Sequence, residues 1–314
     1  MEVEKVLVEV IKFLLFAFLI VLISKYILVS TLRRLAESIN LKAKTVGNIT
    51  GAATSVPELL TITTSSLRGL QLASIYNILS SNIINLVLFL GTVFLNKNVS
   101  KLKNRVIIFD LVLVGITILI PIILLRLNIE LDIFIVPLFI IFYALFSFLN
   151  NSVHKYYLNK DVEDNNNEKI QIKRAIIYSC ILIVTVLIIY IIGDLLGNTL
   201  EKLCNIFSIP QFLIGILLGF ITSIPELITF FEAQKYNKKQ NDEMLGVVEA
   251  TNNLLTSNIL NLFVIQTIGI LIINRWSRYL QNMLRLGYLK KWIPLDKKIE
   301  CIEKSSVFRN FFLI

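Results

Sequence analysis

Charged residues are scarce in this sequence: Asp, Glu, Lys and Arg make up 17% of its 314 residues, 55% are hydrophobic, and the mean hydropathy is +0.74. Soluble domains carry about 25% charged residues, so an ordinary soluble domain is excluded. Histidine is limited to His154, and the three cysteines are odd in number and widely spaced: Cys180, Cys204 and Cys301. This usage predicts neither a disulfide framework nor a CxxC metal pair.

Long apolar runs are abundant, and each is long enough to cross a hydrocarbon core of about 30 Å as a helix. They are rich in aliphatic residues and lack the alternation of a barrel strand. The predicted spans are 6–29, 43–67, 71–95, 106–126, 131–150, 174–197, 210–234 and 244–273. We therefore expect an all-α, multi-pass protein whose partner is the lipid bilayer. The first run has no small-residue cleavage site, which favours a retained span over a signal peptide.

The formal net charge of +9 comes from Lys and Arg in short loops and in the C-terminal segment. This distribution is typical of membrane topology and indicates no nucleic-acid partner. Basic residues cluster after the first, third and seventh spans, and the intervening loops hold few. By the positive-inside rule we expect these basic loops in the cytoplasm, the N-terminus outside, and the protein in the plasma (inner) membrane. Oligomeric state stays open.

A polar segment, 154–173, divides the chain and is predicted to be a cytoplasmic linker. Residues 1–153 form a first half with five spans, residues 174–273 a second half with three, and residues 274–314 a basic tail. His154 falls in the linker, so we expect a solvated loop histidine there.

One motif occurs twice. A shift of 168 residues superposes five pairs: Gly51 and Gly219, Thr54 and Thr222, Ser55 and Ser223, Pro57 and Pro225, Glu58 and Glu226. On the next span of each half, "SNIINL" at 81–86 corresponds to "SNILNL" at 257–262. The two motif-bearing spans, second and seventh, are five apart, so the halves have opposite orientations. The sequence therefore predicts an inverted repeat with its binding groups near the membrane midplane.

Each motif combines a helix-breaking proline with polar residues at helical spacing. Pro57 and Pro225 donate no amide hydrogen, so both helices are expected to break there; Gly51 and Gly219 allow bending or close helix approach. The polar residues lie on single faces: Thr54, Glu58, Thr61 and Ser65; Thr222, Glu226 and Thr229; Asn77, Ser81 and Asn85; Asn253, Ser257 and Asn261.

An ionised glutamate in mid-bilayer costs about 2.5 to 3.5 kcal/mol, so Glu58 and Glu226 need a cation or a proton. Their neighbours are hydroxyl, amide and carbonyl oxygens, which favour hard cations such as Ca²⁺ or Na⁺ over zinc or copper. One Ca²⁺ or two Na⁺ would neutralise two carboxylates. Competition for one site that opens alternately to each side is exchange, so we expect a transporter, not an enzyme, with no cofactor.

The motifs "GAATSVPE" with "SSNIIN", and "GFITSIPE" with "TSNILN", resemble the paired alpha repeats of the cation/calcium exchanger superfamily, specifically its sodium/calcium exchanger type. The resemblance covers residues 15–273. It implies a central Ca²⁺ site made by Glu58, Glu226, Thr54 and Thr222. It also implies flanking Na⁺ positions made by Ser55, Ser223, Ser81, Ser257, Asn85, Asn261 and the carbonyls of Gly51 and Gly219.

The chain departs from that family in several places. Several relatives have an aspartate where Asn261 stands, and the position that Tyr76 and Asn252 occupy is usually a small residue. The second repeat has eight extra residues between its motifs, which we assign to a longer cytoplasmic turn, FEAQKYNKKQNDEM, at 231–244. Relatives also have ten helices, whereas the segment after residue 273 shows no further pair of spans; it is either a surface-bound tail or an altered C-terminus.

Three functions stay open at this point: a Na⁺/Ca²⁺ antiporter, an antiporter that uses H⁺ or K⁺ as the counter-ion, and a degenerate membrane protein that binds cations without transport. Glu249 continues the row of Asn253, Ser257 and Asn261 by one turn, and is interpreted as a solvated carboxylate at a helix end.

Overall fold

The computed structural model describes residues 2–39, 43–67, 71–127, 132–158, 171–207, 211–239 and 242–285, which are almost entirely helical. The helices are α1 (Glu2–Ile23), α2 (Val29–Ser38), α3 (Ala43–Thr54), α4 (Val56–Leu67), α5 (Gln71–Leu95), α6 (Arg105–Arg126), α7 (Val136–Leu158), α8 (Ile172–Ile206), α9 (Gln211–Thr222), α10 (Ile224–Lys239), α11 (Glu243–Ile259) and α12 (Gln266–Arg285). Two π-helical turns, Ser24–Leu28 and Leu260–Ile265, join α1 to α2 and α11 to α12. Short 3-10 turns, Val99–Lys103 and Ile133–Ile135, precede α6 and α7.

Six helical segments among the described residues are long and apolar enough to cross a membrane: Ile75–Leu95, Arg105–Leu124, Ile133–Tyr156, Ile172–Thr199, Gly215–Lys239 and Glu243–Arg275. The first predicted span corresponds to α1 and the π-helical turn that follows it, both of which contact α8. The second corresponds to α3 with α4, which pack on α11, α8 and α12. Apolar side chains on α8 face outward; Ile183 is 61% exposed and Ile191 58%. Such a surface suits lipid and not water. The prediction of a polytopic all-α membrane protein is confirmed.

Two of the predicted spans are discontinuous helices. The second span breaks at Ser55, between α3 and α4, and the seventh breaks at Ser223, between α9 and α10. Each break lies two residues before a proline, Pro57 or Pro225, which sits in the first turn of the new helix. A proline is tolerated there because the first amides of a helix have no intrahelical acceptor.

The repeat glycines bring helices from opposite halves into close contact. A Cβ atom on Gly51, in α3, would lie 2.6 Å from the carbonyl oxygen of Asn253, in α11. A Cβ atom on Gly219, in α9, would collide with the Ser80 hydroxyl and lie 2.8 Å from the carbonyl oxygen of Asn77, both in α5. Glycine therefore allows each half-helix to pack directly against the motif helix of the other repeat.

Polar contacts show that several helix ends lie at one face of the bundle. Nζ of Lys101 and Nζ of Lys238 lie 3.7 and 3.9 Å from the Glu243 carboxylate, and the Gln171 amide donates to the carbonyl oxygen of Ser38. We call this the basic face; it holds the end of α2, α5, α7 and α10 and the start of α3, α6, α8 and α11. The opposite face holds Lys202, whose Nζ lies 3.9 Å from a Glu9 oxygen.

The interpretation of His154 as a solvated loop residue is wrong. Helix α7 continues to Leu158, and the His154 side chain is 3% exposed. Its Nε2 lies 2.9 Å from Oδ2 of Asp110, and Asn150 donates to Oδ1 of the same carboxylate at 3.0 Å. A buried aspartate on α6 needs polar partners, and the polar end of α7 supplies them.

The predicted long turn at 231–244 is also wrong, because its residues extend the flanking helices. Helix α10 runs to Lys239 and α11 begins at Glu243, with the Asp242 carboxylate accepting the amide of Leu245 as an N-cap. Beyond the last predicted span, α12 continues to Arg285. Residues 286–314 of the predicted tail lie outside the described residues, as does the side chain of Ser65.

Candidate functional site

The helix breaks place one glutamate at the start of each following half-helix. Glu58 lies in the first turn of α4 and Glu226 in the first turn of α10. Both side chains are 0% exposed, so each carboxylate, when ionised, carries a buried negative charge. The positive end of each helix dipole partly offsets this charge, so the remaining charge calls for a cation or a proton.

Each carboxylate is held by a serine from the motif helix of its own repeat. The Ser81 hydroxyl donates to Oε1 of Glu58 at 2.9 Å, and the Ser257 hydroxyl donates to Oε1 of Glu226 at 3.2 Å. The threonine hydroxyls donate within their own half-helices: Thr54 to the carbonyl of Thr50 at 3.0 Å, and Thr222 to the carbonyl of Gly219 at 3.3 Å. The structure thus brings each glutamate together with a serine, Glu58 with Ser81 and Glu226 with Ser257; a role for Thr54 and Thr222 as ligands stays a prediction.

The two remaining serines of the prediction connect the repeats at the helix breaks. The Ser55 hydroxyl lies 2.9 Å from the Ser257 hydroxyl, and the Ser223 hydroxyl lies 3.3 Å from the Ser81 hydroxyl. Both serines are buried. Each helix break therefore contacts the serine that holds the carboxylate of the other repeat.

The carbonyl groups of Gly51 and Gly219 are occupied by local hydrogen bonds. The Ser55 hydroxyl donates to the carbonyl of Gly51 at 2.8 Å, and the Ser223 hydroxyl donates to the carbonyl of Gly219 at 2.8 Å. The Ser55 and Ser223 amides lie 3.2 Å from the same carbonyls. Both carbonyls lie beside the cluster, and a role for them as ligands stays a prediction.

Four asparagines cross the interface between α5 and the end of α11. Asn85 donates to the Ser257 hydroxyl at 3.4 Å and to Oδ1 of Asn258 at 3.5 Å. Asn261 donates to the Ser81 hydroxyl at 3.4 Å and to Oδ1 of Asn82 at 3.2 Å. Asn82 and Asn258 in turn donate to each other's backbone carbonyl, at 3.3 and 3.2 Å.

The sequence reasoning missed Asn82 and Asn258, although both belong to the repeated "SNIINL" and "SNILNL" segments. Their effect is to fix which way the neighbouring amides point. Because the amide nitrogens of Asn85 and Asn261 donate to them, the amide oxygens of Asn85 and Asn261 are left without a donor.

Six of the buried oxygens that lack a hydrogen-bond donor among the described residues form three pairs related by the repeat: Oε2 of Glu58 and Glu226, Oδ1 of Asn85 and Asn261, and Oδ1 of Asn77 and Asn253. The amide nitrogens of Asn77 and Asn253 donate to Thr61 and Thr229, one turn beyond the glutamates. A buried acceptor without a partner costs about 1–3 kcal/mol. Carboxylate and amide oxygens are ligands that hard cations accept, so this set is a candidate cation site.

The interpretation of Glu249 as a solvated carboxylate is wrong. It is 4% exposed and forms a bidentate ion pair with Arg33, at 2.7 Å from Nη1 to Oε2 and 2.6 Å from Nη2 to Oε1. One usable signal was the spacing of four residues between Glu249 and Asn253. Nothing in the sequence pattern links Glu249 to a residue 216 positions earlier.

The fold and the cluster define a class of protein: a polytopic, all-α membrane protein made of inverted repeats, in which two broken helices carry buried carboxylates. Residues 9–150 and 177–289 match the family described as "Sodium/calcium exchanger protein". The chain belongs to this family of ion-transporting membrane proteins, as the motifs predicted. A comparison with curated proteins finds no match.

Solved structures of the sodium-calcium exchanger NCX_Mj are similar to this chain. One, soaked with 10 mM Na⁺ and zero Ca²⁺, has 21% identity, covers 91% of this chain and 92% of that one, and gives a TM-score of 0.53. Another, soaked with 10 mM Na⁺ and 10 mM Sr²⁺, has 23% identity, 90% coverage of each chain and a TM-score of 0.52. A third, soaked with 2.5 mM Na⁺ and 0.1 mM Ca²⁺, has 21% identity, covers 98% and 99%, and gives 0.52. These matches show the shared fold.

Proposed function

We propose that this protein is a secondary active antiporter that exchanges Ca²⁺ for Na⁺ across the plasma (inner) membrane, by alternating access at one site built on Glu58 and Glu226. The observation that carries the proposal is the pair of fully buried carboxylates, each with one oxygen that receives no hydrogen bond from the described residues. A bound cation would supply the missing partner. Membership of the sodium/calcium exchanger family also supports cation exchange as the function.

Charge favours competition between one divalent and two monovalent ions. Two ionised glutamates carry a charge of minus two, which one Ca²⁺ or two Na⁺ would neutralise. In this proposal Ca²⁺ is held centrally by Glu58, Glu226, Thr54 and Thr222. Na⁺ is held by flanking oxygens from Ser55, Ser223, Ser81, Ser257, Asn85, Asn261, Gly51 and Gly219.

The inverted repeat supplies a reason for exchange rather than one-way flow. Because the two halves have opposite orientations, each can provide a route to one side of the membrane. A site that must be neutralised by a cation in order to switch sides cannot return empty without leaving two buried charges uncompensated. Each outward movement of Ca²⁺ is thereby coupled to inward movement of Na⁺, or the reverse.

A flux measurement tests the proposal. The purified full chain is reconstituted into liposomes loaded with Na⁺ and diluted into choline buffer that contains ⁴⁵Ca²⁺. We expect Ca²⁺ uptake that depends on the Na⁺ gradient and that external Na⁺ suppresses. Liposomes loaded with choline throughout serve as the matched control.

Other outcomes of the same measurement would replace the proposal. Uptake driven equally well by a K⁺ gradient or a pH gradient, with Na⁺ absent, would identify a K⁺- or H⁺-coupled antiporter. Ca²⁺ binding by the purified protein without flux under any gradient would identify a cation-binding protein that does not transport.

A further inference from the structure

The ion pair between Arg33 and Glu249 is a short, two-point contact outside the candidate cation site. The two terminal guanidinium nitrogens, Nη1 and Nη2, lie 2.7 and 2.6 Å from the carboxylate oxygens. The side chains are 15% and 5% exposed. Bidentate geometry with little exposure gives a strong, directional contact.

Further contacts extend this pair to three helices. Asn237, on α10, donates to Oε2 of Glu249 at 3.1 Å. The guanidinium carbon of Arg33 lies 4.5 Å from the ring centroid of Tyr236, in cation-π geometry. The Tyr236 hydroxyl donates to Oε1 of Glu37 at 2.8 Å. Helix α2 is thereby fastened to α10 and α11, the two helices that carry the second repeat motif.

A small cavity lies directly beside this pair. Arg33 and Glu249 form part of its wall, with Leu32 on α2, Thr50 on α3 and Thr229 on α10. Thr229 donates to the backbone carbonyl of Glu226 at 2.8 Å, and the carbonyl of Thr50 accepts the hydroxyl of Thr54 at 3.0 Å. The cavity therefore reaches within one helical turn of two residues of the candidate site, from the basic face.

Arg33 belongs to a helix that packs mainly outside the motif helices. Helices α1 and α2 contact α8 along their length and are separated by the π-helical turn Ser24–Leu28. Such turns are irregularities that often occur where a helix has a functional role. The Arg33 contacts therefore join this peripheral helix pair to the helices that hold the site.

We propose that the route from the candidate site to the basic face runs through this cavity, between Thr50 and Thr229, and that the pair of Arg33 and Glu249 closes it. This inference rests on the proposed function, because a site that exchanges ions needs a route to each side. In the closed arrangement the guanidinium repels an approaching cation. When α2 separates from α11, Glu249 is left as a carboxylate that faces the route and attracts the cation.

Cysteine labelling tests the route without any transport measurement. Thr50→Cys is introduced into the full chain after Cys180, Cys204 and Cys301 are replaced by serine. A membrane-impermeant maleimide is added to inside-out and right-side-out vesicles that carry the protein, and the rate of modification is measured. We expect Glu249→Gln or Arg33→Gln to speed labelling from the basic face by about fivefold or more, with no increase from the opposite face.

Three further variants define the result. Arg34→Gln, an exposed neighbour on the same helix, is the matched control and should label at the starting rate. Arg33→Lys keeps the charge but loses the bidentate contact with Glu249, so its labelling rate should be intermediate. The charge-reversed double variant, Arg33→Glu with Glu249→Arg, should return labelling toward the starting rate.

Labelling at the starting rate in Glu249→Gln, Arg33→Gln and Arg33→Lys would overturn the proposal, as would equal acceleration from both faces. Size-exclusion profiles identify any single variant that misfolds, and Arg33→Lys and the double variant then decide the question. Altered labelling in a protein without Na⁺-dependent Ca²⁺ flux would sustain the gate while refuting the proposed function. Na⁺-dependent flux with unaltered labelling would do the opposite.

Discussion

At the scale of single residues, the candidate site is defined by oxygens that lack donors as much as by the carboxylates. The serines occupy one oxygen of each glutamate, and the amide nitrogens of Asn85 and Asn261 are used in hydrogen bonds to Asn258 and Asn82 and to the Ser257 and Ser81 hydroxyls. What remains facing the site is oxygen of several kinds. That arrangement suits a dehydrated hard cation.

Replacing either carboxylate tests this at the residue scale. Glu58→Gln and Glu226→Gln keep the shape of the side chain, but each halves the negative charge of the glutamate pair. A lost buried charge partner costs about 2–5 kcal/mol. We therefore expect each variant to lower Na⁺-dependent Ca²⁺ uptake by about 100-fold or more. Glu243→Gln, a half-exposed residue on the helix that carries Ser257, is the matched control. Uptake at the unmodified rate in either site variant would contradict the assignment of the two glutamates.

At the scale of elements, the half-helices are positioned by glycine. Helix α3 lies against α11 and α9 lies against α5, and in each case a single missing Cβ lets backbone meet backbone. These contacts bring the break in one repeat next to the serine and asparagine face of the other. The site therefore depends on close helix approach between residues distant in sequence.

Gly51→Ala tests that dependence. The new Cβ would lie 2.6 Å from the Asn253 carbonyl oxygen, so the helices must separate, and we expect a loss of about 1–3 kcal/mol in stability, as in other overpacked interfaces. Gly91→Ala is the control, because a Cβ there meets nothing within 4 Å and alanine favours the helix by about 1 kcal/mol. Thermal unfolding of both purified variants measures the difference. A Gly51 variant as stable as the Gly91 variant would refute the contact.

At the scale of the whole molecule, the basic loops gather at one face although they come from distant parts of the sequence. Ion pairs at this face join the loop before α6 to α11 through Lys101 and Glu243. The opposite face carries Lys202 and Glu9. The positive-inside rule then predicts that the basic face is cytoplasmic.

Surface labelling checks this orientation. In the cysteine-free chain, we expect Lys235→Cys, at the basic face, to react with an impermeant maleimide only from the cytoplasmic side, and Lys202→Cys to react only from outside. Both lysines are exposed, so access and not burial decides the result. Reaction in the reverse pattern would show the opposite orientation.

The sequence by itself determined the all-α membrane class, the duplicated motif, the positions of both helix breaks and the glutamate that follows each break. Each of these follows from a local property of the sequence: hydropathy, the position of a proline or the spacing of residues along one helix. Such properties do not depend on which tertiary contacts the rest of the chain makes. The same reasoning failed at His154 and at 231–244, where hydropathy falls although α7, α10 and α11 extend into the polar residues.

Only the tertiary structure decided which polar groups meet. His154 joins Asp110 across 44 positions, Asn82 joins Asn258 across 176, and Arg33 joins Glu249 across 216. A polar side chain on an apolar helix shows that a partner is needed, since burying it alone is costly. Which partner it finds depends on how helices from two antiparallel halves pack together, and the spacing of residues along one helix does not specify that packing.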